Sequence, residues 1–376
     1  MIQAFSQAED ALLRATLRDG DEAIEAFAEW RTLFDFEGKH EAGEFRMLPL
    51  LHANLARLGV KDPIMGRLRG IHRHAWAEGQ RRQRSAAIVL RLLAGAGIPT
   101  MFTKGLALAQ EYYPDPSLRP MQDIDLLVPR DRAEGAIDIL QEAGWHFMDP
   151  LSVYSQGGIE RAAFMVLNNG LGMRDGRGNE ADVHWHAQHE CVVPILSDWF
   201  WTDTEKLVIC GEWSVRPGPG PLLFHVISHG LRPNVMSPMR WVADASMILK
   251  RSGSDIDWLT FWEMASRASV EARLAEGLAV VERISLRPLP KGARNSGRVT
   301  FIELLENRAF RTAKMGQFPG LSLLLLRFAK LLRLWRAIDV LTLLVIIRQW
   351  FKVRYAAVSR GNRSVSRPSR SGSPEC

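Results

Sequence analysis

Two aspartates, Asp123 and Asp125, stand two apart in the apolar run MQDIDLLV. On a strand, residues i and i+2 point to one face. Two carboxylates would then crowd each other beside a core, and each raises the other's pKa unless a cation neutralises them. Hard oxygen donors pointing together suit Mg2+, which takes one or two protein carboxylates and leaves positions for phosphate oxygens. The bland alternative is a solvated Asp-x-Asp that caps a turn. Upstream, an apolar run ends in Thr103-Lys104-Gly105 and opens a helix. Such a junction offers backbone N–H groups and a positive helix end to an anion. Lys104 adds a point charge suited to phosphate. Downstream, Asp182 in EADVHWH can supply a third carboxylate. Three acids on adjacent strands, facing a phosphate-binding turn, are the parts of a two-metal phosphoryl-transfer site.

Other constellations carry less. His184, His186, His189 and Cys191 are zinc-ligand types, but no second pair follows at finger spacing. His184 either orients Asp182, meets a phosphate, or simply packs. His225 and His229 have the spacing of a metalloprotease pair, but Val226 occupies the position its general base needs. His229 then either lines a nucleotide cleft or is a hydrogen-bonded core histidine. Asp244 follows Arg240 by four residues, so an i,i+4 helix pair is its simplest account. There is no Gly-x-x-x-x-Gly-Lys loop and no Gly-x-Ser-x-Gly elbow.

The elements that must hold these residues can be read from periodicity. Residues 1–85 carry apolar positions at spacings of three and four, as helices do. Residues 86–215 alternate. SAAIVLRLLAGAG is a helix stopped by glycine, IPTMF a short buried strand, GLALAQEYY a helix, MQDIDLLVP a strand, and RDRAEGAIDILQEAG a helix. Two further strands are expected around Phe164–Leu167 and Ala181–His186. Residues 216–356 turn helical again, through FHVISHGL and MRWVADASMILK. Residues 357–376 are rich in Ser, Arg, Gly and Pro and are expected to be disordered. The fold class is α+β: a small mixed-sheet core flanked by N- and C-terminal helical regions.

The run TKGLALAQEYYPDPSLRPMQDIDLLVP resembles the nucleotidyltransferase superfamily related to polymerase beta. In particular it looks like an uncharacterised bacterial nucleotidyltransferase family with a Lys-Gly turn, an Arg before the second strand and an Asp-x-Asp-x-x-hydrophobic strand. The later Asp182-Val183-His184-Trp185, HVISHG and RWVADASMIL extend the resemblance over roughly Ile98 to Leu249. It implies that Asp123 and Asp125 bind both Mg2+ ions, and that Asp182 binds the ion that activates the acceptor hydroxyl. The wider superfamily has a Gly-Ser turn where this chain has Lys104-Gly105. Lys104 and Arg119 are the natural substitutes for the missing serine in holding the triphosphate of an NTP.

Charge and composition bound the rest. The 376 residues carry 48 Lys+Arg against 42 Asp+Glu, with 47% hydrophobic and 24% charged residues, which excludes disordered, collagenous and coiled-coil classes. From Leu321 to Cys376 eleven basic residues face two acids, so that stretch carries +9 and the preceding residues −3. A basic excess at one end does not suit a general nucleic-acid binder. The Leu321–Lys352 run is interrupted by charges too often to span a membrane. Its basic and leucine faces suit packing on the helical region or peripheral contact with an anionic membrane surface. Three scattered cysteines and an acidic amphipathic start point to a cytoplasmic protein without a signal peptide. The expected activity is transfer of NMP from an NTP to an acceptor hydroxyl on a protein, peptide or small molecule. The alternative is a non-catalytic nucleotide-binding or scaffold protein on the same fold.

Overall fold

The computed structural model describes residues 5–36, 38, 42–149, 154, 158–188, 194–231, 239–314 and 319–334. His189, Cys191, the basic tail 357–376 and the leucine-rich run beyond Leu334 lie outside the described residues. The chain opens with α1 (Gln7–Leu17), α2 (Gly20–Leu33), the short α3 (Ala42–Phe45), α4 (Leu48–Arg57) and the long α5 (Met65–Gly95). Ser6 starts α1 with a reciprocal cap: its hydroxyl accepts from the Glu9 amide, and the Glu9 carboxylate accepts from the Ser6 amide.

The central part then runs β1 (Met101–Phe102), α6 (Lys104–Glu111), β2 (Asp123–Leu127), α7 (Ala133–Glu142), β3 (His146–Phe147), α8 (Gly158–Leu167) and β4 (Gly170–Arg174). It continues with β5 (Glu180–His184), α9 (Pro194–Thr202), β6 (Thr204–Ile209) and β7 (Glu212–Pro217). The strands form one mixed sheet in the order β3-β4-β5-β2-β1-β7-β6. β2 runs parallel to β5 and β1 parallel to β7, while the other neighbours are antiparallel. The helical C-terminal part comprises α10 (Pro219–Gly230), α11 (Arg240–Ser252), α12 (Trp258–Ala268), α13 (Glu271–Ser285), α14 (Phe301–Lys314) and α15 (Pro319–Leu334). The α+β class with one mixed sheet and flanking helices is as the sequence indicates.

The strand expected at Phe164–Leu167 is instead the end of α8. A short apolar run does not distinguish strand from helix, and the preceding Ala162 and Ala163 favour helix. The strand lies just beyond, at β4, where GLGMR carries two residues of poor strand propensity.

Two hydrophobic cores meet along α6. One joins Leu12, Trp30 and Leu51 of the N-terminal helices to Phe224, Val242, Phe261 and Leu274 of the C-terminal helices. The other packs Phe102, Ile124, Leu126 and Val183 of the sheet against Leu90 and Leu93 of α5 and Ile137 and Leu140 of α7. Leu106 of α6 belongs to the sheet core, and Leu108 with the following Tyr112 belongs to the helical one. The N-terminus of α6 is thereby held against the β1–β2 pair inside the sheet.

A buried ion network ties α14 and α15 to α13. Glu306 accepts from Arg273 and Arg333, and all three are less than one-tenth exposed. Removing the shared carboxylate leaves two guanidinium groups buried without their counter-ion. Glu306→Ala should therefore lower stability by about 3–5 kcal/mol, read as a fall in denaturation midpoint. An unchanged midpoint would show that the network is solvated and slack.

Candidate active site

The site begins with a register. β2 and β5 pair in parallel with Asp125 opposite Asp182, so the two carboxylates project from adjacent strands. Asp123 lies two residues back on β2, opposite Glu180. His184 is two residues beyond Asp182, within reach of Asp125 across the strands. Among the described residues, Asp125, Asp182 and His184 form a group whose ligand atoms lie within 4.8 Å of one another.

Lys104 closes this cluster. Its Nζ lies 3.1 Å from Asp125 Oδ1. His184 Nε2 lies 3.2 Å from the same oxygen. The Asn169 amide N–H donates to His184 Nδ1 at 2.9 Å, which leaves the ring proton on Nε2 to donate to Asp125. Burial opposes the charge on Asp125, but Lys104 and His184 hold its carboxyl well below the usual carboxylate range. Burial, then repulsion from Asp125, pushes Asp123 up. Burial also raises Asp182, against the pull of His184 and with Asp125 and Asp123 adding to the rise. A cluster that keeps one acid ionised and two reluctant to ionise is short of positive charge.

The N-terminus of α6 faces the same region. The Thr103 amide donates to the Asp125 carbonyl at 3.2 Å, which fixes the turn against β2. Thr103 is the N-cap, yet its hydroxyl makes no capping bond and is buried without a partner among the described residues. Lys104 sits at φ +32°, in the left-handed region that L side chains rarely adopt. Strain of that kind collects at functional sites.

Arg119 lies elsewhere than a bare phosphate ligand would. Its Nε and Nη2 donate to Asp244 Oδ1 and Oδ2 at 2.7 and 2.8 Å, a buried two-pronged pair. Tyr113 donates its hydroxyl to Asp244 Oδ1 at 2.7 Å. The expected Arg240–Asp244 helix pair is not made. Asp244 accepts from Arg119 across the fold, and Arg240 donates to the Pro120 carbonyl. A planar fork that engages both carboxylate oxygens competes better than an i,i+4 neighbour. Burial and the nearby Arg119 charge lower Arg240 to about 10. One nitrogen of Arg119 remains: Nη1 is buried without a partner, 3.6 Å from where a Cβ on Gly105 would stand.

His229 is not in the carboxylate cluster. It lies near the end of α10, its ring stacked on His225 at 5.7 Å. His186 falls beyond the end of β5, and burial lowers its ring pKa to about 4. Of the histidines in this segment, His184 joins the group with Asp125 and Asp182, and His186 does not.

Sequence reasoning missed Thr103, Asn169 and two glycines of β4. Gly172 lies opposite Asp182 and Gly170 opposite His184. A Cβ on Gly172 would stand 3.1 Å from Asp182 Oδ1, and one on Gly170 would stand 2.6 Å from His184 Nδ1 and 2.8 Å from the Val183 carbonyl. The bare backbone of β4 lets both side chains lie across it. The spacing Gly-x-Gly inside a strand-length apolar run was the available signal.

The donor set suits a divalent cation. Three clustered carboxylates are ligand types for Mg2+ or Mn2+.

The chain belongs to the family described as uncharacterised nucleotidyltransferase, whose model matches residues 40–285. Among solved structures it is similar to the solution structure of the antibiotic-resistance factor ANT(2'')-Ia, with 14% identity, 49% of this chain and 92% of that chain covered, and a TM-score of 0.34. It is also similar to an antigenic nucleotidyltransferase-like protein from Paracoccidioides brasiliensis, with 13% identity, 53% and 92% covered, and a TM-score of 0.32. No curated protein matches the chain significantly.

Gly170→Ala must push the His184 ring or the β5 backbone aside. Overpacking of this kind costs about 1–3 kcal/mol, and the His184–Asp125 bond should lengthen. Thermal melting together with the imidazole NMR shift of His184 checks this. A variant with wild-type stability and an unmoved imidazole would mean that β4 has slack the distances do not suggest.

Proposed function

We propose that the protein is a Mg2+-dependent enzyme that transfers NMP from an NTP to an acceptor hydroxyl on a protein, peptide or small molecule, releasing pyrophosphate. The observation that carries this reading is the pairing of Asp125 with Asp182 across β2 and β5, with Lys104 and the α6 N-terminus on the same oxygen cluster. Membership of a nucleotidyltransferase family supports the same reaction class.

In this reading Asp123, Asp125 and Asp182 hold two Mg2+ ions. When bound, the ions would polarise the acceptor hydroxyl and offset the charge that builds on the phosphates. The remaining work belongs to the chain. The free amides of α6 and the Lys104 ammonium bind the β- and γ-phosphates. The Thr103 hydroxyl and Arg119 Nη1, both buried without partners, are the donors left to complete that cradle. The Thr103 hydroxyl takes the role of the serine that the Lys104-Gly105 turn lacks. His184 steadies Asp125 through Nε2–H. The acceptor hydroxyl gives up its proton to solvent as its oxygen attacks the α-phosphorus in line, forming the new O–P bond. The bond to the β-phosphate bridging oxygen breaks, and pyrophosphate carries off the electron pair. Fixed charge and alignment supply most of the rate.

Among the described residues no helix is long and apolar enough to cross a membrane. Peripheral membrane contact by the basic C-terminal helix remains a proposal, as does a cytoplasmic location.

The test labels the α-phosphate. Purified protein with Mg2+, each α-labelled NTP and a set of acceptors should pass label to acceptor, whereas γ-labelled NTP should yield labelled pyrophosphate only. Asp123→Asn and Asp125→Asn should each abolish transfer while the protein stays folded. Asp182→Ala should keep NTP affinity within about 1.4 kcal/mol, a factor of ten, and lose at least about two orders of magnitude in single-turnover rate. Full activity in either Asn variant would end the two-metal reading. Nucleotide binding measured by calorimetry, with no transfer to any acceptor, would favour the non-catalytic alternative.

A further inference from the structure

We infer that the Lys104 ammonium occupies the metal site of the nucleotide-free enzyme as a stand-in cation, and that the phosphates of the nucleotide must draw it away before a divalent ion binds tightly. The inference rests on the reading that this site takes a metal–nucleotide complex, and it adds the order in which the charges are exchanged.

Asp125 Oδ1 already accepts twice, from Lys104 Nζ at 3.1 Å and from His184 Nε2 at 3.2 Å. Both lone pairs of that oxygen are engaged. Lys104 also stabilises the ionised forms of Asp123 and Asp182, so its charge is felt by all three acids. The other nearby guanidinium groups are committed elsewhere: Arg119 to Asp244, and Arg240 to the Pro120 carbonyl. Among the described residues, Lys104 is the Lys or Arg side chain hydrogen-bonded to the acidic cluster, while the Arg240 charge adds to the offset at Asp123.

The backbone favours the same account. Lys104 holds φ +32°, where glycine would be unstrained, and the strain is borne by a charged side chain at the first residue of α6. Relaxation of that turn and movement of the ammonium are coupled, because the side chain leaves from the strained residue. Its second partner is close by, since the phosphate cradle proposed above begins at the same turn. A Mg2+ ion stands about 2.0–2.1 Å from its carboxylate oxygen. An ammonium and a dication on the same carboxylate repel each other at close range. Metal and lysine therefore compete for Asp125, whereas metal and nucleotide assist each other. Linkage makes that assistance reciprocal.

Mn2+ is the probe, followed by electron paramagnetic resonance on the full-length protein. It is titrated alone and with a non-hydrolysable NTP analogue, with the analogue's own Mn2+ binding subtracted from a protein-free titration. Wild type should bind Mn2+ at least about fivefold more tightly with the analogue than without it, the lower end of ordinary coupling. Lys104→Met should bind Mn2+ alone at least about fivefold more tightly than wild type, and the coupling should shrink towards one. Lys104→Arg keeps the charge and should stay close to wild type. Lys104→Gly removes the charge and relaxes the φ, so it should match Lys104→Met and covers the case in which Met disturbs the fold.

Unchanged or weaker Mn2+ affinity in the folded neutral variants, with Mn2+–nucleotide still bound, would overturn the inference and leave the proposed function standing. Absence of Mn2+ binding in every form, with and without nucleotide, would overturn both.

Discussion

The arrangement depends on the electrostatics of placing Asp123, Asp125 and Asp182 on two adjacent parallel strands, where burial penalises their charge and each repels the others. Carboxylates at this separation ionise together only beside compensating cations. Lys104 and the His184 N–H serve Asp125. Asp123 and Asp182 have less compensation, and both are pushed towards the protonated form. Carboxylates in that condition would gain from a divalent cation placed among them. The bare glycines of β4 belong to the same requirement, because side chains there would push Asp182 and His184 out of the cluster.

The flanking helices act on the site through the segment that leads into β2. Arg119 at the end of that segment's 3-10 turn is locked to Asp244 of α11, with Tyr113 completing the carboxylate's bonds. Arg240 of the same helix holds the Pro120 carbonyl, and Arg46, between α3 and α4, reaches Gln122. Two parts of the fold, α11 and Arg46, thus hold Arg119, Pro120 and Gln122, just ahead of Asp123. A buried bidentate pair carries little net stability over a hydrophobic replacement, but it fixes geometry. Here it anchors the chain that leads into β2, which carries Asp123 and Asp125 beside Lys104.

Much of this was legible in the sequence. The Asp-x-Asp pair and Asp182 were visible because charged residues interrupting apolar strands have few structural reasons to be there. The Lys104-Gly105 turn was visible as the junction of a strand and a helix. β4 was not, because its glycines erase the alternating pattern that marks a strand, and the apolar end of α8 offered a better imitation. The partners of Asp244 were hidden for a different reason. The sequence offers its local neighbour Arg240, while the actual partner, Arg119, lies 125 residues away in the chain. Thr103 and Asn169 are ordinary polar residues whose roles follow only from what surrounds them. An unused cap hydroxyl and an amide behind an imidazole have no signature in one dimension.

The central claim is that Asp125 and Asp182 jointly hold a metal ion beside nucleotide phosphates. The most direct measurement is a crystal structure with Mn2+ and a non-hydrolysable NTP analogue, with the metal located by its anomalous scattering. The account predicts an anomalous peak within coordination distance of both carboxylates, phosphate oxygens at the N-terminus of α6, and the Lys104 ammonium on a phosphate rather than on Asp125. A nucleotide bound elsewhere, or a metal held by phosphates alone while Lys104 stays on Asp125, would contradict it.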